Sequence, residues 1–133
     1  MLDLAQRHGH DTEHLALALN AQVQTRFYGG DLIGAEEQFA RLSELVRTVG
    51  IRQASGITPI TIGVTGLGMW ILGRADSARE RIARAVAFAQ DSKRPYDLAM
   101  ALLFEGYLHG RQPRQAEAAC TQLLCLFEEH GFA

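Results

Sequence analysis

The sequence predicts an all-α fold, a solenoid of three antiparallel helix hairpins, and three observations predict it. First, Ala35, Ala78 and Ala116 each open the same stripe, with apolar or small residues four, seven and eleven positions on: Phe39, Leu42 and Val46; Ile82, Ala85 and Ala89; Cys120, Leu123 and Phe127. Residues at that spacing share one face of a helix. Second, a glycine-containing turn stands five or six residues before each anchor, at Gly30, Gly73 and Gly110. Third, Gly50 and Gly131 each lie fifteen residues beyond an anchor, where glycine supplies the left-handed conformation that closes a helix. Lys93 holds that place in the middle unit, so its turn is expected to close differently. A pattern recurring at about 40 residues marks units that bury their faces only against their neighbours.

The elements follow in order from these signals. Helices are expected at about 12–28, 31–48, 58–72, 76–91, 95–109 and 113–129, paired as hairpins by short loops. Residues 2–9 read as a stub, the end of a preceding second helix stopped by Gly9. Asp11 or Thr12, Asp31, and Asp76 or Ser77 are the expected N-caps. Pro59, Pro95 and Pro113 are expected at first helical positions, where a missing N–H has no partner to lose. The third helix is contested by its own composition. Ile57, Thr58, Ile60, Thr61, Ile62, Val64 and Thr65 favour a strand by propensity, while the repeat favours a helix. The chain reads as one domain over 1–133, with repeat units at about 12–50, 57–93 and 95–131. Residues 1–9 would end a truncated earlier unit, so a fragment of a longer array is expected.

Composition narrows the class of work. At 133 residues, with 47% hydrophobic and 21% charged residues, the chain fits an ordinary globular domain. A net charge of −2 supplies no general attraction to nucleic acid or acidic membranes. The N-terminus has no basic start followed by an apolar run, so no signal peptide is read and a cytoplasmic location is expected. Cys120 and Cys125 lack a second pair for a zinc site and are expected to be buried free thiols. The charge-free stretch from Ala54 to Gly73 has the length of a membrane span. Pro59, four glycines and four hydroxyl side chains dilute it, and a central helix buried on all sides is the preferred account.

The turns and stripes resemble the tetratricopeptide repeat. Gly30-Asp31, Ala35, Phe39 and Leu42 match that family's turn and second helix. Gly66, Met69, Gly73, Ala78, Ile82 and Ala85 fill the corresponding places of the next unit, and Tyr107, Ala116, Cys120 and Leu123 those of the third. The anchor spacings of 43 and 38 exceed the family's 34, and Val23 and Phe104 replace its small first-helix residue. Leu72-Gly73, the run Pro95-Tyr96-Asp97-Leu98-Ala99-Met100-Ala101-Leu102, and Glu129-His130-Gly131-Phe132 are also similar to the helical tails of bacterial proteins that fuse a class III adenylate/guanylate cyclase to an ATPase. The resemblance implies a non-catalytic protein-interaction or sensory-scaffold module of a bacterial signalling protein, any catalysis residing in domains outside this chain.

The chemistry-bearing residues are consistent with binding. His8, His10 and His14 cluster near the start but lack a complete ligand set, so no metal is expected. Gly63-Val64-Thr65-Gly66-Leu67-Gly68 lacks the ending of a phosphate loop and reads as close helix packing, with no cofactor expected. Arg74, Arg79, Arg81, Arg84, Lys93 and Arg94 make a local excess of positive charge. Arg74, Arg81 and Arg84 can share one side as a modest basic stripe; a solvated face is the preferred account, without implying nucleic acid. No catalytic arrangement of nucleophile and base is visible. In the resembling family, first helices line a concave surface. Here that surface would present Asn20, Gln24, Phe27, Tyr28, Glu105, Leu108 and His109, with Leu67, Trp70 and Ile71 between them. Asn20, Gln24, Tyr28, Glu105 and His109 are the expected contacts for a protein or peptide partner. No membrane partner is expected. A regulatory domain of a transcriptional regulator, holding a small ligand beside the glycine-rich middle helix, is the alternative, and a homodimer through exposed ends is a third arrangement.

Overall fold

The structure is a computed structural model. It describes the backbone of residues 2–49, 57–110 and 112–131, with side chains from residue 12 onward within those spans and up to 48 in the first. Among the described residues the fold is all-α. The helices are α1 (Leu2–Tyr28), α2 (Leu32–Val49), α3 (Pro59–Ile71), α4 (Ala75–Ser92), α5 (Pro95–Leu108) and α6 (Pro113–His130). Consecutive helices pair as hairpins, α1 with α2, α3 with α4 and α5 with α6. The chain divides into two compact units, Met1–Ile57 and Thr58–Ala133.

The repeat register is carried by hydrogen bonds. The N–H groups of Ala35, Ala78 and Ala116 donate to the carbonyls of Asp31, Arg74 and Gln112, the residues just before α2, α4 and α6. Each anchor alanine therefore stands at the same position of the first turn. Ala35 and Ala78 are buried there, where a larger side chain would push the hairpin partner away, and Ala116 is half-buried.

In the first unit α1 runs unbroken from Leu2 to Tyr28. The stub expected at 2–9 and the helix expected from 12 are thus one element, and neither Asp11 nor Thr12 begins a helix. Glycine inside a helix costs only about 1 kcal/mol relative to alanine, too little for Gly9 alone to end it. Ala16 and Leu19 of α1 pack with Leu42 of α2, bordered by Leu45, Val46 and Ile57. The turn between the helices is a glycine-closed one: Gly30 has φ 85, its N–H donates to Phe27 O at 3.0 Å, and the Asp31 N–H donates to Arg26 O at 2.9 Å. That pair of bonds satisfies carbonyls the helix end leaves open. Asp31 then caps α2 as expected, accepting from the Gly34 N–H at 2.8 Å, while Arg26 donates to its other oxygen at 2.6 Å. These bonds, the Gly34 N–H first and the guanidinium second, hold the Asp31 carboxyl below its usual range. Gln38 of α2 is buried with its amide oxygen unpaired among the described residues. The Gly50 stop lies outside the described residues.

In the second unit the α3–α4 turn repeats that backbone with other side chains. Gly73 has φ 79, its N–H donates to Trp70 O at 3.0 Å, and the Arg74 N–H donates to Met69 O at 2.9 Å. No side chain caps α4: the helix starts at Ala75, so Asp76 and Ser77, the expected caps, lie inside its first turn. Pro59, Pro95 and Pro113 open their helices as expected. Lys93 corrects the expectation of a different closure. It adopts the left-handed conformation itself, φ 54, as Gly131 does at φ 61.

Helix α3 overrides its strand propensity. Thr58 caps it, accepting from the Thr61 N–H at 3.2 Å, and Thr65 donates to the carbonyls of Thr61 and Ile62 at 3.0 Å each. Its hydroxyls are therefore satisfied within the helix and can be buried without penalty. Two glycines bring neighbours onto its backbone. A Cβ on Gly63 would collide with the Phe104 ring of α5, and one on Gly66 would lie 2.7 Å from Ile82 Cγ1 of α4. Helix α5 packs against both α3 and α4, and α6 packs on α5. At 13 residues, α3 is about 20 Å long, well short of the ~30 Å hydrocarbon core. Among the described residues no helix is long and apolar enough to cross a membrane.

Helix α6 turns differently from expectation. Its buried residue is Ala119, with Leu123 and Leu126 half-buried, while Cys120, Cys125 and Phe127 are exposed. The face toward α5 is thus rotated from the predicted stripe, and the two cysteines, expected to be buried, flank it on the surface.

Candidate functional site

The expected contacts fall on two helices, one in each unit. On α1, Asn20 and Gln24 are half-buried and Tyr28, one further turn on, is 72% exposed. These three recur every four residues and so share one face. Tyr28 is braced edge-on by Phe27, ring centroids 5.2 Å apart. On α5, Glu105 and His109 are half-buried and again one turn apart. His109 ends that helix, and its Nδ1 lies 3.2 Å from Gln112 Oε1. Leu108, expected on the same surface, is buried in the second unit. The two groups of residues belong to separate units.

The middle-helix residues divide similarly. Ile71 is exposed and Leu67 half-buried. Trp70 is half-buried beneath Arg79, whose guanidinium carbon lies 5.9 Å from the ring centroid. Arg79 is also paired with Asp76 at 2.9 Å, and Arg74 reaches Met69 Sδ at 3.8 Å. Two cations of this basic region are thus engaged within the unit, a cation over an aromatic face being worth about 0.5–1 kcal/mol at an exposed site. The space beside the α3 glycines, where a small ligand was the alternative, is filled by Phe104 and Ile82. Among the described residues no group of three His, Cys, Asp or Glu side chains is placed to hold a metal ion. His14 is exposed, and the side chains of His8 and His10 lie outside the described residues.

A surface absent from the sequence reading is an open groove between α1 and α2, of about 640 Å³. Leu15, Leu19, Ala40 and Leu45 form its apolar floor, with Arg41 and Glu44 on the rim. Glu44 is held by a two-pronged bond from Arg47, at 2.6 and 3.0 Å. That bond and its charge lower the Glu44 carboxyl below its usual range. Arg41 is exposed and unpaired among the described residues. A second groove, of about 330 Å³, lies between α5 and α6. Its α6 residues are Thr121, Gln122, Cys125 and Leu126, and it is bordered by Gln90 of α4. A half-exposed Leu15, 50% accessible, could have been suspected from the leucines at 15, 17 and 19. Its pairing with Leu45 needed the hairpin geometry.

No protein-family model, curated protein or solved structure matches this chain.

Proposed function

We propose that the chain is a tetratricopeptide-like interaction module, a non-catalytic scaffold or sensory element of a bacterial signalling protein of the cyclase–ATPase kind, working in the cytoplasm. Its work is recognition of a protein or peptide through the first-helix faces. The observation that supports this most is the recurrence of one hairpin register, in which three alanines take the same position of three second helices. Repetition of that kind leaves first-helix side chains such as Gln24, Tyr28 and Glu105 at repeating places, where amide, phenol and carboxylate groups can read an extended or helical segment. Tyr28, large, amphipathic and largely exposed, is the residue type that dominates such interfaces.

The test is a peptide selected against the whole chain from a random library, followed by nuclear magnetic resonance titration. The expected result is saturable shifts centred on Asn20, Gln24 and Tyr28 of α1 or on Glu105 and His109 of α5. Replacing Tyr28 by Ala should then weaken binding about tenfold or more. Selection of no binder, or shifts confined to the second helices, overturns the proposal.

A further inference from the structure

Two adjoining spaces lie on the second unit. The larger is the α5–α6 groove of about 330 Å³, and a smaller one of about 170 Å³ lies where α4 ends and α5 begins. They share Gln90, Leu98 and Leu126, so the side chains that bound one also bound the other. Their linings differ. Leu98, Leu102 and Leu126 make the larger space apolar, and Thr121, Gln122 and Cys125 bring it neither carboxylate nor cation. The smaller space adds Lys93 and Arg94, both exposed, beside Ala89 and Pro95. Among the described residues no carboxylate lines either space. Asp97, in the first turn of α5, accepts instead from the Ser92 hydroxyl at 3.4 Å. An apolar trough thus opens at one end onto two cations that its own walls do not balance.

Lys93 is unusual in a second respect. It stands fifteen residues beyond Ala78, as Gly131 stands beyond Ala116. Among the described residues it is the one non-glycine with a positive φ, 54 against 61 for Gly131. Glycine takes that conformation without the crowding a Cβ brings. A lysine therefore closes α4 less well than glycine would, and what it supplies instead is a charge at the mouth of the trough. The apolar part has a definite length. From Pro95 to Leu102 is seven residues of α5, about 10 Å along its axis, and an extended alkyl chain of about eight carbons spans the same distance.

We propose that the trough binds a free single-chain carboxylate of medium length, its alkyl chain along Leu98, Leu102 and Leu126 and its carboxylate between Lys93 and Arg94. Charge complementarity selects this occupant. The two cations call for an anion, and the apolar walls beyond them call for a tail with no further charge. A peptide would bring backbone N–H and C=O groups that the three leucines cannot satisfy. Because α4, α5 and α6 all line the trough, occupancy ties the α4–α5 turn to α6 and stabilises the unit by mass action. The site is separate from the first-helix faces and stands or falls independently of peptide recognition.

Octanoate is the probe, titrated into the complete chain from about 10 micromolar to about 10 millimolar. The expected result is one saturable curve in the methyl resonances of Leu98, Leu102 and Leu126. Octanol, which keeps the chain without the charge, and acetate, which keeps the charge without the chain, should each bind about tenfold more weakly or worse. Lys93→Gly should lower octanoate affinity about tenfold with a urea midpoint unchanged or raised, and Lys93→Arg should retain most of the affinity. Arg94→Gln leaves the strained backbone of the turn alone and should lower affinity by a similar factor of about ten. Equal binding of octanoate and octanol, affinity unaltered in both Lys93→Gly and Arg94→Gln, shifts centred outside the trough, or no saturable binding overturns the proposal.

Discussion

Helices α3 and α6 begin alike and end in opposite surroundings. Each opens with proline at its first position, yet nine of the thirteen residues of α3 are buried and only one of the eighteen of α6. Composition contributes: α3 carries no charge, whereas α6 sets Arg114, Glu117, Glu128 and Glu129 among its leucines. Backbone access contributes as well. Gly63 and Gly66 let Phe104 and Ile82 rest directly on α3, whereas α6 buries only Ala119, half-buries Leu123 and Leu126, and leaves Leu124 63% exposed. Burial of α3 thus follows from small residues that admit a neighbour as well as from uncharged ones that seek cover.

Removing the intruding ring is the strongest way to break that contrast. Phe104→Ala should destabilise the second unit by about 3–4 kcal/mol, read as a lower midpoint in urea. Gly63→Ala should cost about 1–3 kcal/mol by crowding the ring. In the Phe104→Ala background the same change should become neutral or favourable, as alanine's helix propensity takes over. Equal costs in both backgrounds would show that the ring and the glycine are uncoupled.

The ends of the second helices sharpen the comparison on a smaller scale. Lys93 closes α4 in a conformation that Gly131 adopts at the end of α6, and a side chain there is strained by roughly 1–2 kcal/mol. Lys93→Gly should therefore gain about 0.5–1 kcal/mol after glycine's larger unfolded-state entropy is deducted. A loss of stability would mean that the lysine side chain makes a contact worth more than the strain. Smallest of all is Leu124→Ser on α6. It should move the thermal midpoint by less than about 0.5 kcal/mol in equivalent stability, since little of that leucine is covered.

Much of the fold was legible in the sequence because it depends on local rules. Proline at a helix start and alanine at a crowded first-turn position each leave a mark at a fixed spacing and located elements correctly; glycine after a helix end did so at Gly131 but not at Gly9, which lies inside α1. The helix at α3 was legible only through the repeat, its own residues favouring a strand. What could not be read depends on residues far apart in the chain. Nothing near Gly63 announces Phe104, 41 positions away. The face that α6 turns to α5 was misjudged by extending a stripe that holds for α2 and α4. Cys120 and Cys125 were placed inside for the same reason. Asp76 and Ser77 failed as caps because Gly73 ends the previous helix late and Arg74 starts the next one at once. The first-helix residues rest on the resemblance, in which first helices line a concave surface, and that resemblance does not show the groove formed between Leu15 and Leu45.

The strand-prone composition of α3 has a consequence during synthesis. From Thr58 to Leu72 the chain offers β-branched residues, no charge and no proline after Pro59, a composition that pairs edge to edge with its own kind when left uncovered. Its partners, α4 and α5, emerge after it, so each nascent chain carries an uncovered, adhesive segment until the residues up to Leu108 have followed. The speed with which Ile82 and then Phe104 arrive, rather than the strength of the finished packing, governs how much of the product escapes aggregation.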